Sequence, residues 1–296
     1  MATIDRNDVA ALIEEGYSTE FLQTAEENSA AIGAFPLIRM GNKTVNLPVL
    51  ASEPEAKFVN EWSDSGAAEQ PEATKPTSKL TWGSKNITAE EIAVIITTHE
   101  NLLQDSSVDI LSEITKQGGN AIARRLDGAV LNGTQKPVTW ASADLKSAVA
   151  ATGQALTVGT DAEDLLDALY QIEGDMADAG FNDPVIIAKR SLRSKLKNQR
   201  DANGAFLGAA DVLADYDPSF TKHLGADVTA YVVDRESVRV GIRSDVSVKI
   251  LTEATVNGVS LAETDQIGVR FTGRYGYVLK DNAAVWAINP AATPEG

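Results

Sequence analysis

Residues 105–133, DSSVDILSEITKQGGNAIARRLDGAVLNG, decide how the rest of the chain is read. Val108, Leu111, Ile114, Gly118, Ile122, Leu126 and Val130 recur at steps of three or four, which places one apolar stripe on a helix. Asp105 or Ser106 can cap its first turn, Asp109 suits the positive N-terminal end, and Asn132-Gly133 supplies a left-handed stop. At 1.5 Å per residue such a helix runs about 40 Å. With a single apolar stripe it lies across a surface rather than through the middle of a core. Gly118 and Gly119 interrupt it halfway, which suits either close packing against a neighbouring backbone or a bend point that moves.

A second one-faced element matches it in length. In residues 267–280, Ile267, Val269, Phe271, Tyr275, Tyr277 and Leu279 fall on odd positions, with Arg270, Thr272, Arg274 and Lys280 on even ones. That period of two predicts a strand of about 46 Å. Asp281-Asn282 is expected to turn it back toward a strand at 285–288. Helix and strand should pack as an elongated slab in an α+β fold.

The 296 residues are enough for one large domain or two intimate ones. There is no cysteine, so disulfides and thiolate metal sites are ruled out. The acidic N-terminus lacks a basic-then-apolar signal segment, and no apolar run approaches the ~20 residues that span a bilayer. The expectation is a product that stays in the cytoplasm where it is made, or leaves only when the cell does. A net charge of −16 argues against phosphate-driven nucleic-acid binding, although an acidic wall can enclose DNA without adhering to it.

Taken in order, residues 1–32 read as an acidic arm, with seven carboxylates (Asp5, Asp8, Glu14, Glu15, Glu20, Glu26, Glu27) against Arg6. Strands are expected at 35–38 and 45–50, with Gly41-Asn42 between them. Residues 51–85 combine glutamates with Pro54, Pro71 and Pro76. They read as a two-stranded excursion, 57–62 and 79–85, around a loose tip at 63–78. A lone hairpin is marginal in water, so this one should need another surface. A strand at 87–96 leads into the long helix. A helix capped by Thr160 or Asp161 follows, with Leu165, Leu166, Leu169, Ile172 and Met176 on its face and Gly180 at its end. A buried strand is expected at 185–188. Residues 189–200, KRSLRSKLKNQR, hold six bases and no acid. They suit a solvated helix face with Leu192 and Leu196 inward, and are the one local candidate for phosphate contact. Strands at 228–233, 238–242 and 246–251 complete this part.

No catalytic pattern accompanies these elements. His99 and His223 are the only histidines, far apart and without ligand-spaced partners, so no metal or cofactor site is expected. The nucleophile-elbow, phosphate-loop and dinucleotide patterns are absent.

The order of elements resembles the major capsid proteins of tailed bacteriophages, with the Hong Kong 97-type fold, from about Ala31 to Ile288. Phe58-Val59-Asn60-Glu61-Trp62 through Pro71 and Pro76 is similar to the family's extended loop. Asn101-Leu102-Leu103-Gln104-Asp105-Ser106 is similar to the entry of its spine helix, and Leu126-Asp127-Gly128-Ala129-Val130-Leu131-Asn132-Gly133 to the exit. Residues 196–207, LKNQRDANGAFL, are similar to its axial helix and turn. The resemblance implies an N-terminal arm at 1–32 and an extended loop at 51–85. It implies a peripheral domain from 33–50, 86–160 (spine helix 105–132) and 252–296, and an axial domain at 161–251. Glu61, Trp62, Pro71, Lys75 and Pro76 are then expected at subunit interfaces, and Gly118 and Gly119 at a spine hinge.

The resemblance further implies hexamers and pentamers assembled in the host cytoplasm. They would close into an icosahedral virion shell around double-stranded DNA, without specific binding, alongside portal and scaffolding proteins. The arm begins almost at Met1, so scaffolding is expected as a separate protein or a segment outside this sequence. Covalent crosslinking, known among relatives, would use Lys57, Lys75, Lys79 or Lys85 with Asn282 or Asn289, but their spacing does not pair them. Two other readings stay open at this stage. One is an encapsulin-like compartment, which differs by its cargo; the other is a soluble enzyme with an acidic cleft.

Overall fold

The computed structural model describes residues 24–25, 28–52, 81–105, 109–159, 165–198, 200 and 218–290. The first half of the chain forms α1 (Ala30–Ala34), β1 (Leu37–Met40), β2 (Thr44–Ser52), β3 (Thr81–Thr88), β4 (Glu90–His99), α2 (Glu100–Asp105), α3 (Ile110–Asn132), α4 (Leu145–Thr152) and β5 (Ala155–Thr157). It continues through α5 (Leu165–Asp178), β6 (Pro184–Lys189), α6 (Ser191–Lys197), β7 (Ser219–Thr221), β8 (Ala230–Asp234) and β9 (Val238–Leu251). The last part is β10 (Thr255–Val256), β11 (Val259–Ser260), β12 (Gln266–Leu279) and β13 (Val285–Asn289).

The long helix α3 is shorter than expected at its start. Asp109 is the N-cap, its carboxylate accepting the Ser112 backbone N–H at 3.2 Å, while Asp105 closes the separate six-residue α2. Ser106 and Val108 lie outside the described residues. The remaining 23 residues span about 35 Å. At the far end Gly133 adopts φ +67°, the left-handed stop, and its N–H bonds the Gly128 carbonyl. A Cβ there would fall 2.8 Å from the Asp144 carboxylate, so glycine is needed for space as well as for conformation.

Strands β1-β9-β12-β4 make one sheet and β5-β13-β8-β6-β7 a second. In β12 the odd residues Val269, Phe271, Tyr275, Tyr277 and Leu279 are buried in the core shared with Ile114, Ile122, Leu126 and Val130 of α3. In the second sheet alternation serves two layers at once. Val185, Ile187, Tyr231 and Val233 join the core under α3, whereas Ile186, Ala188, Ala230 and Val232 face Leu165, Leu169, Ile172 and Met176 of α5. A third small core collects Met40, Ile87, Ala89 and Val278.

Three local expectations change. The strand expected at 87–96 breaks at Ala89, whose N–H donates to the Lys43 carbonyl at 2.8 Å, so β3 and β4 serve different sheets. Strands expected at 238–242 and 246–251 are one continuous β9, with the register irregularity on β12 between Thr272 and Arg274. The chain does not turn back after β12. Asp281 caps a single turn at Asn282–Ala284, and β13 pairs with β8 and β5 of the other sheet. Three strand pairings join residues inside and outside 161–251: β9 with β1, β9 with β12, and β13 with β8.

Candidate functional site

The N-terminal segment is fastened to the long helix at one buried point. Asp127 of α3 is fully buried and accepts the Ser29 hydroxyl at 2.7 Å and the backbone N–H groups of Ala30 and Ala31 at 3.1 Å each. Ser29 in turn caps α1, its Oγ accepting the Ile32 N–H at 3.3 Å. Three donors thus converge on one carboxylate at the start of a short helix, where backbone N–H groups lack partners. Burial pushes the Asp127 carboxyl above its ordinary value against the opposing pull of those hydrogen bonds. Five residues on, Asn132 holds the 223–225 loop, donating to the His223 carbonyl at 2.7 Å and accepting the Gly225 N–H at 3.1 Å.

Halfway along α3, Gly118 and Gly119 are both buried and the helix runs through them unbroken. A Cβ on Gly118 would lie 2.8 Å from the Phe271 ring of β12. The glycine lets helix and strand approach at that point.

The excursion begins as an antiparallel ribbon. β2 and β3 pair from Thr44↔Thr88 to Ser52↔Thr81. Its base is anchored three ways: Ile87 is buried, Lys85 Nζ donates to the Leu279 carbonyl at 3.0 Å, and Trp140 Nε1 donates to the Thr88 carbonyl at 2.9 Å. Away from the base the cover disappears. Thr81, Trp82, Gly83 and Ser84 are exposed, Trp82 to 64%. Glu61, Trp62, Pro71, Lys75 and Pro76, the expected interface residues, lie outside the described residues, as do Lys57 and Lys79. Of the crosslinking candidates that are described, Lys85 is engaged at Leu279, Asn282 sits in the turn after β12, and Asn289 ends β13.

The basic run forms α6, with Leu192 and Leu196 fully buried and Arg193, Lys195 and Lys197 exposed. Among the described residues no group of three or more His, Asp or Glu could hold a metal ion, and no helix is long and apolar enough to cross a membrane. Sequence reading missed Asp127 as a structural centre. The signal available was a carboxylate between Leu126 and the Val130-Leu131 pair, on the apolar side of an amphipathic helix.

The described residues thus combine a long helix laid on one sheet, a ribbon exposed beyond its base and an N-terminal turn clasped to that helix. The chain belongs to the phage capsid family, whose model matches residues 10–289. It is similar to a solved structure from Mycobacterium phage Bobi, 38% identical over 99% of this chain and 100% of that one, with a TM-score of 0.80. One from Mycobacterium phage Adephagia is 35% identical over the same shares, also with a TM-score of 0.80. The fold is shared with the capsid of an empty GTA particle computed with C5 symmetry, 16% identical over 90% of this chain and 91% of that one, TM-score 0.59. Among curated proteins none matches. The chain is accordingly a structural protein of the virion, a major capsid protein that forms the shell.

Proposed function

We propose that copies of this subunit associate as hexamers and pentamers and close into an icosahedral shell of the Hong Kong 97 type around double-stranded DNA. The observation that supports this most directly is the β2–β3 ribbon. Its base is locked to the subunit by Ile87, Lys85 and Trp140, while Trp82, Gly83 and Ser84 are exposed. A two-stranded ribbon is marginal alone in water, so a second copy is the natural source of the missing surface. Many such modest contacts, each of the weak or transient size class, suit reversible shell growth.

In this reading the arm at 1–32 and the loop at 51–85 extend onto neighbours, where Glu61, Trp62, Pro71, Lys75 and Pro76 make contact. The long helix and the four-stranded sheet form the peripheral part, and the sheet covered by α5 and α6 the axial part. Assembly takes place in the host cytoplasm with portal and scaffolding proteins. The subunit carries out no catalytic step. Its net charge of −16 keeps the wall from adhering to packaged DNA. Negative-stain microscopy and sedimentation of the purified chain test the proposal. Closed shells or capsomer rings are expected. A compact monomer at every concentration, with or without the other virion proteins, overturns it.

A further inference from the structure

The sheet under α3 ends on one side in a long strand whose outer edge is open among the described residues. β4 is ten residues long, pairs with β12 alone, and runs in unbroken register from Glu90↔Tyr275 to His99↔Gln266. The phase of its ladder is set just past its end, where the Glu100 N–H donates to the Asp265 carbonyl at 2.9 Å. Bonded positions alternate along an antiparallel pair, so residues 90, 92, 94, 96 and 98 bond to β12. The N–H and C=O groups of Glu91, Ala93, Ile95, Thr97 and His99 point away from it. None of these has a hydrogen-bond partner among the described residues. Folded chains blunt such edges by keeping them short or by placing lysine, proline or a bulge on them. The other edges follow that rule. β1 is four residues long, β5 and β7 are three each, and the ribbon strands carry Pro48 and Lys85. β4, EEIAVIITTH, has none of these devices, and its run from Ile92 to Thr98 has the composition that pairs readily with another strand.

The edge complements itself. When it is laid antiparallel on a second β4 about a two-fold axis through Ile95, Ile95 meets the partner's Ile95, Ala93 the partner's Thr97 and Glu91 the partner's His99. An apolar pair then forms on the axis, where Ile95 is 42% exposed, and carboxylate meets imidazole at either end. Glu91 is half exposed beside Arg274, 3.7 Å away, and His99 is exposed. Sliding the pair by two residues in either direction loses both the isoleucine pair and the Glu91–His99 pairs. On the α3 side, Val94 meets the partner's Ile96 and Ile92 the partner's Thr98. Next to Ile92 and Val94 a cavity of about 760 Å³, with Ala121, Ile122 and Arg125 of α3 also lining it, leaves room for those side chains.

We infer that β4 is a two-fold contact between copies of this chain, joining two four-stranded sheets edge to edge through Glu91, Ala93, Ile95, Thr97 and His99. The inference rests on the reading that copies assemble into a shell. It adds what rings alone lack, a contact made by the same patch on both copies that links one ring to the next.

The chain has no cysteine, so single introduced cysteines report the register. Oxidised assemblies of Ile95→Cys should give a disulfide-linked dimer on non-reducing gels, because hydrogen-bonded strand partners lie about 5.5 Å apart at Cα, within disulfide range. Ala93→Cys and Thr97→Cys chains should each stay monomeric, their like cysteines about 14 Å apart, and should link when the two are mixed before assembly. Ile95→Lys puts two ammonium groups on the axis. It should keep the wild-type urea midpoint and form rings, with closed shells lost. Negative-stain images of the same samples separate the contact from the assembly it serves. Closed shells of Ile95→Cys without the dimer overturn the two-fold contact and leave shell assembly standing, as do closed shells of Ile95→Lys. Linkage of Ala93→Cys to Ser84→Cys in place of the Ile95→Cys dimer would give the edge to a neighbour's ribbon and likewise overturn it. Chains that neither link nor assemble overturn both.

Discussion

The Ser29 hydroxyl sits 2.7 Å from Asp127 Oδ1, joining positions 98 apart in the chain inside a fully buried pocket. The same carboxylate receives the N–H groups of Ala30 and Ala31. A side chain from the long helix thereby does for α1 what an ordinary N-cap and first-turn acid do within one helix. The start of α1 is consequently held by its own subunit.

Removing that carboxylate strands its donors. Asp127→Ala leaves a hydroxyl and two N–H groups buried without an acceptor, each costing about 1–3 kcal/mol, so the loss should be at least about 3 kcal/mol. Asp127→Asn keeps one acceptor oxygen and should cost about half as much. Ser29→Ala removes the cap on Ile32 as well and should cost roughly 1–2 kcal/mol. Urea unfolding of free subunits measures all three. An Asp127→Ala variant within 0.5 kcal/mol of wild type would show that the clasp contributes little.

The same residue makes a signed pH prediction. Burial holds the Asp127 carboxyl above its ordinary value of 3.8 in the folded state. Its contribution is therefore fully present below about 3.8 and is lost as pH rises through the elevated folded value. Asp227 and Glu236 behave oppositely, because Lys146 and Arg239 hold their carboxyls below the ordinary range. What those two contribute is lost on acidification. Acid should thus leave the Asp127 clasp closed. The stability gap between wild type and Asp127→Asn should widen between pH 7 and pH 4, read as the difference in urea midpoints. A gap that narrows contradicts the assignment.

Gly118 offers a way to separate packing from hinge action. A methyl group there meets the Phe271 ring at 2.8 Å, so Gly118→Ala should destabilise the subunit by about 1–3 kcal/mol despite the roughly 1 kcal/mol gain in helix propensity. Adding Phe271→Leu should restore most of that loss. If the restored double variant also forms and matures shells normally, the glycine serves approach of helix to strand and not bending. Failure to mature with subunit stability restored would favour the hinge.

What the sequence reveals follows from how local each cause is. The stripe of α3 and the odd-numbered face of β12 repeat within one element, so Ile122, Leu126, Phe271, Tyr275 and Tyr277 are legible as core. The start of α3 is not, because Asp105, Ser106 and Asp109 are equally good caps and Val108 fits the same stripe. The break at Ala89 has no glycine or proline to mark it. Lys43 and Trp140 impose it from elsewhere in the chain through bonds to Ala89 and Thr88. The clasp is hidden for the same reason, since a buried aspartate reads as an error in the stripe until Ser29 is brought beside it. The shift of β13 to the second sheet depends on the Asp281 cap, which looks like any hairpin turn in sequence.

Trp82 tests the ribbon as an assembly element. It is 64% exposed on β3, beyond the anchors at Lys85 and Ile87, and pairs across to Leu50. An aromatic of that size left in water gives the free subunit little, so Trp82→Ser should move its unfolding free energy by no more than about 0.5 kcal/mol. In an interface the same side chain is of the type that dominates binding, and truncation of such residues costs about 2 kcal/mol or more per contact. The concentration at which capsomers or shells form should therefore rise at least about tenfold, followed by light scattering and sedimentation. The reverse pattern, a subunit weakened by the change while assembly proceeds at the wild-type concentration, would place Trp82 in its own fold and remove the ribbon from the interface.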